Sequence, residues 1–133
     1  MATAELTILP LGTPSASVGE YLTEIARRLE SETRVKAHMH GGGTSLEGET
    51  TDILAVVAEL HSVPFEMGLV RVYTVLKLDE RRDRPGQTVA DKERSVRERL
   101  EHKSRSLKAG DRVADMHSVP STDPPPDARH ERR

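Results

Sequence analysis

The feature that most constrains the fold is the segment 70–84, an alternating run that ends in dense charge. Val72, Thr74 and Leu76 occupy every second position, and this period predicts a β-strand with one packed face. From residue 79 to residue 84 the chain has charge and no apolar side chain, so we expect the sheet to end before that run. The preceding residues are then the fold that this strand completes.

The composition limits what kind of core the chain can build. Phe65, Tyr21 and Tyr73 are the complete set of aromatic residues among 133. A core of Leu, Val, Ile, Ala and Met in one small domain buries limited area, so self-association is an expected remedy.

Several classes of protein are disfavoured by what the sequence lacks. It has no cysteine, which excludes disulfides and thiolate metal sites. No apolar stretch approaches the about 20 residues of a membrane span, and the N-terminus has no basic region followed by a long apolar run. The net charge of −2 argues against general nucleic-acid binding. We therefore expect a cytoplasmic protein without a membrane or nucleic-acid partner.

The first half of the chain predicts three strands and a helix. Alternation indicates strands at 5–11, 35–40 and 44–49, and the last two are joined by a turn at 41–43. Ser17 and Glu20 have the spacing of a capping box, so a helix should follow and run to about residue 31 or 32. Leu6, Ile8, Val35, Ala37, Met39 and Leu46 should then face the core.

The second half predicts another helix and the last strand. A helix should begin at Thr50 or Thr51 and end near Gly68, with a kink or restart at Pro64. The order strand, helix, strand, strand, helix, strand fits an α+β, ferredoxin-like βαββαβ sandwich. Such a fold has a four-stranded antiparallel sheet with both helices on one face.

Beyond this sandwich we expect one more helix and a tail. Residues 88–107 have a thin apolar stripe at helical spacing, which suits a surface helix or one that lies on a partner subunit. From residue 108 the periodicity is lost and three consecutive prolines follow, which is typical of disorder. The predicted organisation is a domain at 1–107 and a disordered tail at 108–133.

Four segments together resemble a known family: ILPLGTPSASVGEYL at 8–22, GTSLEGE at 43–49, His61, and LVRVYTVLKLDERRDR at 69–84. They resemble the thiamine-binding-protein-like family of small ferredoxin-like proteins. The resemblance implies a fold that associates through its sheets into homodimers or homotetramers. It also implies binding of thiamine or its hydroxymethylpyrimidine part, with no established catalytic reaction and no cofactor. Gly41 and Gly42 depart from the family, which often has proline and an apolar residue there.

Alternation gives an independent route to candidate ligand contacts. The sheet face opposite the helices carries Glu47, Arg71 and Tyr73, and its mixed composition suits a subunit interface with polar groups left for a ligand. Glu47 could accept hydrogen bonds from an aminopyrimidine. Alternatively it could be a strand carboxylate that is solvated, or one paired at an interface with Arg71 or Lys77. Three hydroxyl residues complete the predicted ligand-binding set or serve only as capping and strand residues: Thr13, Ser17 and Thr44.

Other chemistries find weaker support in the sequence. His38 and His40 share a strand face and could bind zinc or nickel, but no third ligand is defined, so we predict no metal. The glycines at 41–43 lack the lysine of a phosphate loop and join two strands. No nucleophile–base pair is evident, so we predict a protein that is not an enzyme. The alternative to a thiamine binder is a ligand-free module for self-association or regulation.

Overall fold

A computed structural model describes residues 1–116, and the side chains as far as residue 112. Its elements are β1 (Ala2–Leu11), α1 (Gly19–Glu30), β2 (Lys36–His40), β3 (Gly43–Gly48), α2 (Thr50–Glu66), β4 (Arg71–Glu80) and α3 (Val89–Met116). The chain divides into two units, Met1–Arg94 and Ser95–Arg133. The first unit contains the sheet, α1, α2 and the first turns of α3. The described part of the second unit is helical.

The strands form one antiparallel sheet in the order β2-β3-β1-β4. Side chains from both α1 and α2 belong to the same core cluster as the even-numbered residues of β1, so both helices cover one face. This is the predicted ferredoxin-like sandwich. The core cluster consists of Ala2, Ala4, Leu6, Ile8, Ile25, Val35, Leu46, Ile53, Val56, Val57, Leu60 and Val63.

The other sheet face is covered at one end by the start of α3. Thr88 and Asp91 form a reciprocal cap: the Asp91 N–H donates to the Thr88 hydroxyl, and Asp91 Oδ2 accepts from the Thr88 N–H at 2.9 Å. Lys92 Nζ then donates to Thr3 Oγ1 at 2.7 Å and pairs with Asp79. Thr3 is therefore buried although it lies on the face away from α1 and α2.

Two predicted details of the helices are wrong. Ser17 does not form a capping box, because α1 begins at Gly19 with Val18 as its N-cap and without a side-chain cap. Ser17 instead lies in the loop before α1, where its backbone N–H donates to Ser15 Oγ. The restart of the second helix at Pro64 is wrong, because Pro64 lies buried in the last turn of a continuous α2, while the alternative of a kink stays a prediction. Gly68, with a φ of 97°, follows the end of that helix as predicted.

The strand and helix ends also differ from their predicted positions. The last strand excludes Val70, which is 93% exposed, and it continues through Asp79 and Glu80 because both pair with the start of β1. Backbone pairing thus extends the sheet into the charged run. Residues 108–116 continue α3 rather than beginning the predicted tail. The remainder of that tail, 117–133, lies outside the described residues.

Candidate functional site

A cavity lies where β1 extends past β3. β3 pairs with β1 only from Ala2 to Leu6, whereas β4 pairs with it as far as Leu11. Beyond Leu6, the edge of β1 on the β3 side faces the hairpin turn between β2 and β3 instead of a strand. The first turns of α1 close the third side. The resulting cavity has a volume of about 210 Å³.

The walls of this cavity are mostly apolar. Its lining comes from β1, α1 and the hairpin: Leu6, Thr7, Ile8, Leu9, Val18, Leu22, Ile25, Met39, His40, Gly41, Gly42, Gly43 and Thr44. Thr44, only 5% exposed, supplies a hydroxyl on the helix side of the sheet. Among the described residues no Lys, Arg, Asp or Glu lines the space. Such a lining suits a small ligand, or part of a ligand, that carries no charge.

The hairpin turn beside the cavity is held by three contacts. The Gly42 N–H donates to His40 Nδ1 at 3.3 Å, and Thr7 Oγ1 donates to the Gly42 carbonyl at 3.3 Å. His40 Nε2 lies 2.5 Å from Glu5 Oε1. Because His40 Nδ1 accepts from the Gly42 N–H, the ring proton is on Nε2. A Cβ at Gly43 would lie 2.6 Å from the Leu6 carbonyl oxygen, which only glycine avoids.

A second, more open depression lies on the sheet face away from α1 and α2. Its lining includes Glu5, His38, Ser45 and Glu47, together with Val89 of α3. Glu47 Oε1 accepts from the Val89 N–H at 3.0 Å, and Ser45 Oγ donates to Glu5 Oε2 at 2.9 Å. The carboxylate at the start of α3 is favourably placed for the helix dipole. These contacts give Glu47 a structural role in attaching α3.

Comparison with known proteins places this geometry in a family. Residues 4–97 match the family model described as thiamine-binding protein. The chain belongs to this family. A UPF0045 protein of Bacillus subtilis is 38% identical over 104 residues, which cover 76% of this chain and 99% of the relative. A UPF0045 protein of Methanothermobacter thermautotrophicus is 40% identical over 101 residues, which cover 75% and 100%.

Solved structures show the same fold. A hypothetical protein of Methanocaldococcus jannaschii has a TM-score of 0.63 at 33% identity, covering 71% of this chain and 94% of its own. A Thermotoga maritima protein, described as a candidate for thiamine biosynthesis or salvage, has a TM-score of 0.58. It is 21% identical and covers 68% of this chain and 92% of its own, and at that identity the likeness shows the fold alone. The resemblance stated from the sequence is thus confirmed at the level of family and fold.

The structure does not bring the six predicted ligand contacts together. Thr44 lines the cavity, whereas Glu47 points to the opposite sheet face. Tyr73 of β4 pairs with Leu9 of β1. Thr3 of β1 pairs with Glu47 on one side and with Asp79 of β4 on the other, so Glu47 lies beside the Asp79 end of β4. Six residues along β4 therefore separate Tyr73 from Glu47, about 20 Å at the rise of a strand. Arg71 is farther still.

The two remaining predicted residues lie in the loop between β1 and α1. Thr13 Oγ1 donates to the Ser15 carbonyl at 2.6 Å, and Ser17 Oγ accepts from the Gly19 N–H at 3.4 Å. Both hydroxyls thus shape the loop, and neither residue is part of the cavity lining.

Residues that the sequence reasoning missed are apolar ones. Val18, the N-cap of α1, and Leu22 in its first turn line the cavity, but their spacing in the sequence predicts only the packed face of a helix. Met39, predicted as core, is 37% exposed because β2 is an edge strand and the cavity lies beside it. The signal that could have identified this place is the family segment 8–22 together with the glycine turn that follows His40.

Metal and membrane chemistry have little support in the described part of the chain. Across residues 1–112, no group of three or more His, Asp and Glu side chains could hold a metal ion. His61, another residue of the family resemblance, is half-buried on α2, with Nδ1 2.7 Å from Thr74 Oγ1 of β4. No helix within residues 1–116 is both long and apolar enough to cross a membrane.

Proposed function

We propose that this protein binds thiamine or a related hydroxymethylpyrimidine compound without converting it, as a carrier or sensor. The observation that carries the proposal is the largely apolar cavity at the free edge of β1 in a member of the thiamine-binding protein family. Six of its lining residues belong to the segments that carry the family resemblance: Ile8, Leu9, Val18, Leu22, Gly43 and Thr44.

The volume favours one ring inside the cavity. Cavities of about 150 Å³ take up benzene. The 210 Å³ available here therefore accommodates a single substituted six-membered ring. For thiamine, the pyrimidine would occupy the cavity and the thiazolium would lie at its mouth.

The polar groups at the cavity favour binding over catalysis. His40 is the one titratable side chain among the described lining residues. Its two nitrogens already contact Glu5 and the Gly42 N–H, so it is not free to act as a base. Thr7 Oγ1 donates to the Gly42 carbonyl, and within residues 1–112 no side chain forms a hydrogen bond with the Thr44 hydroxyl, so neither hydroxyl is paired with an activating base.

Titration calorimetry with thiamine and with hydroxymethylpyrimidine tests the proposal. Leu22→Trp places a large ring in the cavity from an exposed helix position, so we expect at least tenfold weaker binding. Glu47→Gln is the matched control on the other sheet face, and its affinity should stay within about twofold of the wild type. If the wild-type protein shows no binding heat and no thermal shift with either ligand, the proposal is ruled out.

A second candidate function is self-association through the sheet face away from α1 and α2, as a homodimer or homotetramer. It is favoured by Leu9 and Tyr73, paired neighbours on that face that are 43% and 55% exposed. Multi-angle light scattering should find a dimer or tetramer for the wild type and a smaller species for Tyr73→Glu. Leu54→Glu, which charges an exposed position of α2, is the control. A wild type that is monomeric at about 100 μM, well above a micromolar dissociation constant, would exclude this function.

A further inference from the structure

The free edge of β1 exposes backbone groups to the cavity. The Cβ position of Gly43 lies 2.6 Å from the Leu6 carbonyl oxygen, which shows that this carbonyl points toward β3. Backbone groups of residues two apart in a strand point to the same edge. The N–H and C=O of Ile8 therefore point in the same direction, beyond the last residue pair between β1 and β3.

Pro10 gives independent support for this direction. Proline has no N–H and is tolerated in a sheet where its nitrogen faces a free edge. Pro10 lies opposite Val72 of β4, so its nitrogen should face away from β4. The backbone groups of the other even-numbered residues of β1 then point to that same edge, away from β4. Thr7 and Leu9 then direct their backbone groups to β4, opposite Val75 and Tyr73.

Ile8 thus offers one donor and one acceptor side by side at the cavity. Its side chain is buried at 7% exposure, and the residue lines the space. Buried backbone groups are almost always paired, and in an antiparallel sheet one residue forms both bonds with the residue opposite. A ring nitrogen next to an exocyclic amino group has the complementary pattern, an acceptor beside a donor.

We infer that Ile8 recognises the ligand through its backbone, as an added strand would, and that the cavity selects planar heterocycles with a ring nitrogen beside an exocyclic amino group. The Ile8 N–H donates to the ring nitrogen, and the amino group donates to the Ile8 carbonyl. This inference rests on the proposed function and specifies the ligand class that the cavity takes. Because no cationic side chain lines the cavity within residues 1–112, a phosphate on the ligand adds no attraction there.

Amide hydrogen exchange measured by NMR tests the contact directly. The probe is 4-amino-5-hydroxymethyl-2-methylpyrimidine at saturation. We expect exchange of the Ile8 amide to slow at least tenfold. The amides of Thr7 and Leu9, which face β4, should be unchanged and serve as internal controls.

A ligand analogue provides the second measurement. The same pyrimidine without its 4-amino group should bind about tenfold more weakly, since one hydrogen bond is lost and the Ile8 carbonyl stays unpaired. Thiamine monophosphate should bind no more tightly than thiamine.

The outcomes separate this inference from the proposed function. An unchanged Ile8 amide in the bound state, or equal affinity for the analogue without the amino group, would overturn the edge contact while thiamine binding stands. Tighter binding of the monophosphate would contradict the absence of a cationic contact. No binding of thiamine or of either pyrimidine would overturn the proposed function, and the inference with it.

Discussion

Single residues at the hairpin turn determine whether the cavity stays open. Gly43 lies against the Leu6 carbonyl, the Glu5 carboxylate and the Thr7 hydroxyl, with no room for a Cβ atom. Gly41, two residues earlier in the same turn, has nothing within 4 Å of its Cβ position. The two glycines are alike in sequence and differ only in what the fold places beside them.

Gly43→Ala should therefore push the turn away from β1. We expect a loss of about 1–3 kcal/mol in the free energy of unfolding, as for other overpacked positions, together with weaker binding of hydroxymethylpyrimidine. Urea unfolding and calorimetry measure the two effects. Gly41→Ala is the matched control and should change neither; equal behaviour of the two variants would show that the turn is not packed against β1 as described.

At the scale of elements, the sequence determined most of the sheet but not its uneven pairing. Alternation located all four strands and assigned their two faces, but not their ends, because period 2 depends only on which side is buried. It could not show that β1 extends beyond its pairing with β3, because the length of a paired region depends on the partner strand as well. The cavity exists because of that difference in length. The sequence therefore predicted Ile8 as a core residue and not as a ligand contact, whereas Thr44 was among the predicted contacts. The end of β4 was misplaced for the same reason, because pairing with Ala2 and Thr3 holds Asp79 and Glu80 in the sheet.

The connection from α1 to β2 is fastened to α2 by ion pairs. Arg34 donates to Glu32 and to Glu59 of α2, each at 2.8 Å. The Arg34 guanidinium, through these hydrogen bonds, lowers the pKa of Glu32 to about 2. In the unfolded chain the pKa of a glutamate is about 4.3. The pairing therefore contributes stability above about pH 4, and this contribution is lost as the pH falls toward 2.

Glu32→Gln should remove this pH-dependent contribution. The variant should be less stable than the wild type at pH 6, and the difference should shrink as the pH falls from about 4 to 2. Chemical unfolding of both proteins at a series of pH values measures this difference in stability. Arg27 and Arg28 also lower the pKa of Glu24 to about 2, but Glu24 is present in both proteins, so its contribution cancels in the difference. A difference that is constant with pH would contradict the pairing of Glu32 with Arg34.

At the scale of the whole molecule, α3 serves two distinct parts of the chain. Its first turn belongs to the unit Met1–Arg94, where Val89 and Lys92 contact Glu47, Thr3 and Asp79. The family match ends at residue 97, yet the helix continues to Met116. Beyond Arg94 the helix carries three exposed apolar residues, Val96, Leu100 and Leu107. Among the residues that the structure describes, neither the core cluster nor the cavity lining includes one beyond 94.

Ending the chain after Arg97 should therefore leave the sandwich and its ligand affinity intact. The Thr88–Asp91 cap and the Lys92 contacts remain in the shortened protein, so we expect the urea midpoint and the calorimetric affinity to match those of the full chain. Ending it after Gln87 instead removes those contacts, exposes Thr3 and frees Glu47, and should lower the stability by about 1–3 kcal/mol. Light scattering on the same samples then reports whether residues 98–133 contribute to association. A shortened chain to Arg97 that fails to fold would show that the sandwich needs the extension, and would make the extension part of the domain.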